Sequence, residues 1–157
     1  MKVELWMTGK TNEAYLREGI AIYEKRLGHY LPFALKVFPD IKNAKKMNPA
    51  QLKEKEGAQV LKTLNKDDLL VLLDERGKQY TSVEFSQFMD QQFLSSKKRI
   101  IFLIGGAFGF DEETYERADR KLSLAKMTFS HQMIRLFFVE QLYRAMTILR
   151  NEPYHNE

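Results

Sequence analysis

The sequence contains no cysteine. Disulfides and thiolate metal sites are therefore excluded, and the composition suits a reducing cytosol. Long apolar runs are also missing. In the most apolar segment the longest unbroken run is Leu136 to Val139, far short of the ~20 residues a membrane helix needs. The short apolar start is interrupted by Glu4, so no secretory signal is expected. The three histidines, His29, His131 and His155, have no pair at helical metal-ligand spacing, and no metal centre is expected. The glycines of Gly105-Gly106-Ala107-Phe108-Gly109 fall first, second and fifth, whereas a dinucleotide fingerprint needs first, third and sixth. No phosphate loop ending in Gly-Lys-Ser/Thr is present. Ser123 and Ser130 lack the flanking glycines of a hydrolase elbow.

The 157 residues are 44% hydrophobic and 29% charged, enough for one domain with a sizeable core. The net charge of +4 is a mild basic bias. Lysine and arginine gather at Lys42, Lys45 and Lys46, at Lys97, Lys98 and Arg99, and at Arg117, Arg120 and Lys121. Each cluster suits a solvated face; together they favour a phosphate backbone.

Strands and helices alternate along the chain. Lys2 to Met7 alternates apolar and polar residues as a strand does. Thr11 or Asn12 is placed to cap a helix running to Leu27, with Gly28 as its stop. Phe33 to Phe38 is a second strand, followed by the lysine-rich stretch Asp40 to Asn48. Pro49 opens a helix to Leu64. The apolar runs Leu69–Leu73 and Ile100–Ile104 suit strands buried on both faces, as in a parallel sheet. Asp74 to Lys78 reads as a loop. Thr81 or Ser82 caps a helix to Leu94, and Asp111 caps another ending near Arg120. Leu122 to Ala125 is a last strand, Lys126 to Ser130 a compact turn, and Gln132 to Arg150 the most apolar helix. The fold class is α/β, a mostly parallel sheet flanked by helices.

In such sheets ligands lie beyond the carboxyl ends of the strands. That places Leu73-Asp74, Gly105-Gly106 and Lys126–Phe129 at one site. Unpaired amides at a strand-to-helix turn suit a polar ligand, although the same pattern serves an ordinary connection. The last helix has two apolar stripes. Ile134, Phe138, Leu142, Ala145 and Leu149 form one; Leu136, Val139, Tyr143 and Met146 form the other. One stripe faces the sheet, and the second needs a cover, either a partner subunit or the protein interior. Arg135, Glu140, Arg144, Thr147 and Asn151 make its polar side. Asp74, Glu75 and Glu140 are candidates for acid–base work. Tyr154 and His155 could stack on and contact a base, or belong to a frayed end.

Several blocks resemble one family. They are LLDERGK (Leu72 to Lys78), FLIGGAFGF (Phe102 to Phe110), LSLAKMTFSHQMIR (Leu122 to Arg135), VEQLYRAMTILRNEPYH (Val139 to His155) and EKEGAQVL (Glu54 to Leu61). In order and over essentially the full length, they look like ribosomal large subunit methyltransferase H. That bacterial family methylates N3 of a pseudouridine in 23S ribosomal RNA. The resemblance implies a SPOUT-type α/β fold with a C-terminal trefoil knot, a cytoplasmic homodimer, and S-adenosylmethionine as methyl donor. It implies cofactor contacts at Leu73, Gly105, Leu124, Ala125, Lys126, Met127, Thr128 and Phe129. It puts His131 and Arg135 at the substrate, with Arg144, Tyr154 and His155 near the catalytic mouth. The expected RNA partner is the assembled ribosome. Two departures stand out: Ser130 replaces the proline common before the histidine, and the tail closes on Asn156-Glu157 rather than a basic residue. A non-catalytic RNA-binding factor and a nucleotide-binding protein without an RNA partner are the competing classes. Binding of S-adenosylmethionine and methyl incorporation into ribosomes separate the three.

Overall fold

A computed structural model describes residues 1–156; Glu157, which the tail comparison includes, lies outside the described residues. Five strands form one parallel sheet: β1 (Lys2–Thr8), β2 (Phe33–Phe38), β3 (Leu69–Gln79), β4 (Arg99–Ile104) and β5 (Arg120–Ser123). Their order is β2-β1-β4-β3-β5, and every pairing is parallel.

Helices cover both faces, which is why β3 and β4 read as unbroken apolar runs. Val3, Leu5, Met7, Val71, Phe102 and Ile104 point to one side. There they meet α1 (Ala14–Leu27), α3 (Ser82–Phe93) and α5 (Met133–Leu149). Trp6, Leu70, Leu72, Ile101 and Leu103 point to the other, under α2 (Pro49–Thr63) and α4 (Glu112–Arg117). The period of two along each strand assigns alternate residues to the two cores.

Local sequence accounts for most helix starts. Asn48 and Gln51 form a reciprocal capping box at α2 (2.8 and 3.1 Å), with Pro49 in the first turn. Thr81 and Glu84 do the same at α3. Such boxes satisfy two orphan amides at once. Asp111 caps α4.

Two expectations are corrected. The helix expected to be capped by Thr11 or Asn12 begins at Ala14, after Glu13, without a side-chain cap. Thr11 and Asn12 are engaged elsewhere: Thr11 Oγ1 accepts from Arg135 at 3.0 Å, and the Asn12 amide donates to Gln132 at 2.9 Å. Secondly, Asp74–Lys78 is not a free loop. β3 makes an excursion after Leu73 and pairs again with β5 at Lys78 and Gln79. Glycine permits this: a Cβ on Gly77 would lie 2.6 Å from the Lys121 carbonyl carbon. The edge strand accordingly ends at Ser123, two residues before the expected Ala125.

On sequence alone the cover of α5 is open between a partner subunit and the protein interior. Its second stripe is covered within the chain: Val139 is fully buried and Met146 nearly so. Gly19 of α1 lets the backbone approach Leu136, whose Cδ1 would be 2.9 Å from an added Cβ. Tyr143 packs against Tyr23 and Tyr30. Helix α5 sits between α1 and α3, so its two stripes demand no second subunit.

Candidate active site

The carboxyl ends of β3, β4 and β5 enclose a cleft of about 710 Å³, the size range of small-molecule sites. From β3 come Leu73 and the excursion Asp74 to Arg76; from β4, the loop Gly105 to Phe110; from β5, the turn leading to α5.

The β4 loop is shaped by what its glycines exclude. A Cβ on Gly105 would press the Gly109 backbone at 3.2 Å, and one on Gly106 would collide with the Glu56 carboxylate at 2.3 Å. Gly109 has φ +85°, a conformation glycine adopts without strain, and its amide donates to the Gly106 carbonyl at 3.1 Å. The glycines thus let the loop fold back on itself beside the cleft.

The β5 turn is held at both ends. Ser123 Oγ donates to the Ala125 carbonyl at 2.7 Å. Ser130, where the resemblance leads one to expect proline, accepts from the Met133 amide at 3.0 Å. It therefore satisfies an orphan donor at the start of α5. Thr128 donates its hydroxyl proton to Glu75, linking this turn to the β3 excursion.

Leu73, Gly105, Leu124, Ala125, Met127, Thr128 and Phe129 all line the cleft, and so does His131. Lys126 does not. Met127 is 80% exposed, so it stands at the rim with its side chain unpacked. Asp74, placed here by the strand-end rule, also lines the cleft, and so do Tyr115 and Phe108, to which the sequence assigned no role. No spacing pattern linked Tyr115 to Asp74. Burial pushes the Asp74 carboxyl up, but the Tyr115 hydroxyl, the Arg76 amide and nearby cations outweigh that and hold it below the usual carboxylate range. An ionised carboxylate therefore stands in the cleft wall, paired with Arg76 and hydrogen-bonded by Tyr115.

The remaining residues divide. Arg135, expected at the substrate, is fully buried. It donates to the carbonyls of Thr8 (2.9 Å), Gly9 (2.9 Å) and His131 (3.0 Å). Its donors are engaged inside the protein, so it braces the site rather than facing a ligand. Arg144, Tyr154 and His155 do come together, around Glu140. Glu140 Oε1 accepts from Arg144 at 2.6 Å and from Tyr154 at 2.9 Å. Arg144 also meets His155 Nδ1 at 3.1 Å, and its guanidinium lies 4.8 Å from the Tyr154 ring centre. Burial, then Tyr23 and Glu140, raise the Tyr154 hydroxyl above its ordinary value, so it stays a protonated donor. The tail is pinned further by Tyr30, whose hydroxyl donates to Glu152 at 2.6 Å. Glu140 is thus apart from Asp74 and Glu75, with which it was a candidate partner. Ile134 of α5 lines the cleft, and Glu140 and Arg144 follow it along the helix at ~1.5 Å per residue, about 9 and 15 Å away.

A family model described as predicted SPOUT methyltransferase matches residues 1–155. The chain belongs to the SPOUT methyltransferase family. Three relatives named ribosomal RNA large subunit methyltransferase H are similar over essentially their whole length. The Parabacteroides distasonis protein is 55% identical over 157 residues, 100% of each chain. The Christiangramia forsetii protein is 51% identical over 156 residues, 99% of each. The Cytophaga hutchinsonii protein is 51% identical, covering 99% of this chain and 100% of its own. As a SPOUT methyltransferase the protein is a transferase, and its chemistry requires a methyl donor. Among the described residues there is no group of metal-ligating side chains and no helix long and apolar enough to cross a membrane.

Proposed function

We propose that this SPOUT methyltransferase transfers a methyl group from S-adenosylmethionine to N3 of a pseudouridine in 23S ribosomal RNA. The observation that carries the reading is the cleft at three strand ends, in a chain about half identical to relatives named for the ribosomal large subunit. The donor fits the cleft's chemistry. Leu73, Leu124 and Ile134 offer apolar wall for an adenine. The turn 124–129 offers backbone groups to its edge, and Gly105 borders the ribose and methionine portion. Asp74 and Glu75 supply the negative charge that a cationic donor requires. When bound, the donor supplies an activated methyl group. The protein's contribution is chiefly to hold the acceptor nitrogen in line with it, converting an encounter into a fixed geometry.

The functional unit is a homodimer of single-domain chains, acting on the assembled ribosome in the cytoplasm. Support comes from the separation of Arg144, Tyr154 and His155 from the cleft of their own chain. A second copy of the chain can bring that cluster to the cleft's mouth. Small size is a further support: one copy has little surface for specific RNA recognition. The trefoil threading of the C-terminal segment is the family feature we attach to the same reading.

The test is mass spectrometry of 23S RNA from cells lacking the gene, followed by methylation of those ribosomes with purified protein. Loss of one methyl group on a pseudouridine, restored in vitro, is expected. An unchanged spectrum overturns the proposal. Modification of naked 23S RNA as fast as ribosomes would remove its ribosome-level part.

A further inference from the structure

Among the described residues two buried side-chain polar atoms have no hydrogen-bond partner: Glu56 Oε1 and His131 Nδ1. Folded proteins satisfy nearly all such atoms, so each exception asks for a reason. The two differ in what they face. Glu56 lies behind the glycine loop, its carboxylate against Gly106, beside a space of only about 20 Å³. His131 lines the large cleft.

We propose that His131 Nδ1 is the atom that takes the proton from the acceptor nitrogen during methyl transfer. This rests on the methyltransferase reading above. A ring N–H flanked by carbonyls is a poor nucleophile until its proton leaves. The N–H bond breaks and the proton passes to Nδ1. The electron pair left on nitrogen forms the new bond to the methyl carbon, while the carbon–sulfur pair returns to the donor's sulfur.

The surroundings suit such an atom. Burial and the Arg135 guanidinium in the first turn of α5 hold the imidazole below its ordinary value, opposed by Asp40 from the segment after β2. His131 is therefore neutral near pH 7, with a nitrogen free of competing bonds. Arg135 keeps its place and charge because the carbonyls of Thr8, Gly9 and His131 hold it. An imidazolium beside that cation is disfavoured, so the proton is passed on to solvent and the base resets. A positioned base of this kind contributes about 100-fold or more to rate.

The experiment compares wild type and His131→Asn on ribosomes lacking the modification, measuring kcat and, against pH, kcat/KM, the ratio that reports groups of the free enzyme. S-adenosylmethionine affinity is measured by calorimetry, and the His131 pKa by NMR of labelled wild-type protein. Expected are an acid limb in the wild-type profile, at a pH matching the His131 titration below about 6.5. The variant should show a roughly 100-fold lower kcat, no acid limb and unchanged donor affinity. A variant that keeps the limb overturns the assignment. So does a mismatch between the NMR and kinetic values, which decides the matter even if the variant does not fold. Loss of the limb in Glu56→Gln instead overturns it in favour of Glu56. If wild type binds no S-adenosylmethionine, the methyltransferase reading fails first and takes this inference with it.

Discussion

Arg135 Nη2 donates to the carbonyl of Thr8 at 2.9 Å, joining residues 127 positions apart. Thr8 ends the first strand, and Arg135 lies in the first turn of the last helix. The bond fixes where α5 begins relative to the sheet, and with it the turn that lines the cleft.

Replacing Arg135 by Met should therefore cost stability. The change leaves the Thr8 and Gly9 carbonyls without these donors in a buried setting. A loss of about 2–4 kcal/mol is expected from unsatisfied polar groups. For a chain of this size that is a Tm lower by roughly 4–16 °C. Thermal and urea unfolding read it; unchanged stability would deny Arg135 its bracing role.

Gly77→Ala probes the β3 excursion. The new Cβ would sit 2.6 Å from the Lys121 carbonyl carbon and 2.7 Å from the Leu122 nitrogen. Backbone atoms cannot rotate aside, so β5 must shift at a cost of about 1–3 kcal/mol. Because Asp74 to Arg76 line the cleft, affinity for S-adenosylmethionine should fall alongside. Calorimetry and urea unfolding check both effects.

Gly105→Val should abolish donor binding while leaving the chain folded. Its Cβ meets Gly109 at 3.2 Å, and its methyl groups displace the loop that walls the cleft. Unchanged affinity by calorimetry would remove Gly105 from the site.

The dimer proposal has a complementation test. Gly105→Val spoils a cleft, and Tyr154→Phe weakens the tail cluster by removing the hydroxyl that donates to Glu140. If each cleft uses the partner's tail, a mixed dimer contains one intact site. Co-expressed variants should then methylate ribosomes faster than either variant alone. Equal rates would place the tail's action, if any, within its own chain.

Acid stability should depend on Asp68. Burial raises its carboxyl, but Arg99, the Asn65 amide and Arg117 prevail and hold it below the ordinary range. A depressed carboxylate contributes stability that is present above its unfolded pKa of about 3.9 and lost as pH falls through the lower folded value. Urea midpoints of wild type should drop between about pH 4 and pH 2. Asp68→Asn should be less stable at neutral pH and lose part of that slope.

Much of the architecture was legible in residue order because its causes are local. Period-two patterns place Val3 and Leu5 on one face, and unbroken apolar runs mark β3 and β4 as doubly covered. Pro49 and Thr81 mark helix starts, and strand ends pointed to Leu73, Gly105 and the turn after Ala125. Long-range contacts erased other signals. Thr11 and Asn12 looked like caps but are engaged by Arg135 and Gln132. Asp74–Lys78 looked like a loop because its pairing resumes opposite β5, where only Gly77 fits.

Sequence by itself determined an α/β chain with a ligand site at strand ends, because alternation and turn chemistry act over a few residues. It also carried the SPOUT blocks. Only the tertiary structure decided which polar residues face that site. Arg135 and His131 are four residues apart, yet one is spent on backbone carbonyls and the other lines the cleft with a buried, unpartnered ring nitrogen. That difference is created by what β1 brings against the start of α5, a contact between the two ends of the chain that no local pattern encodes.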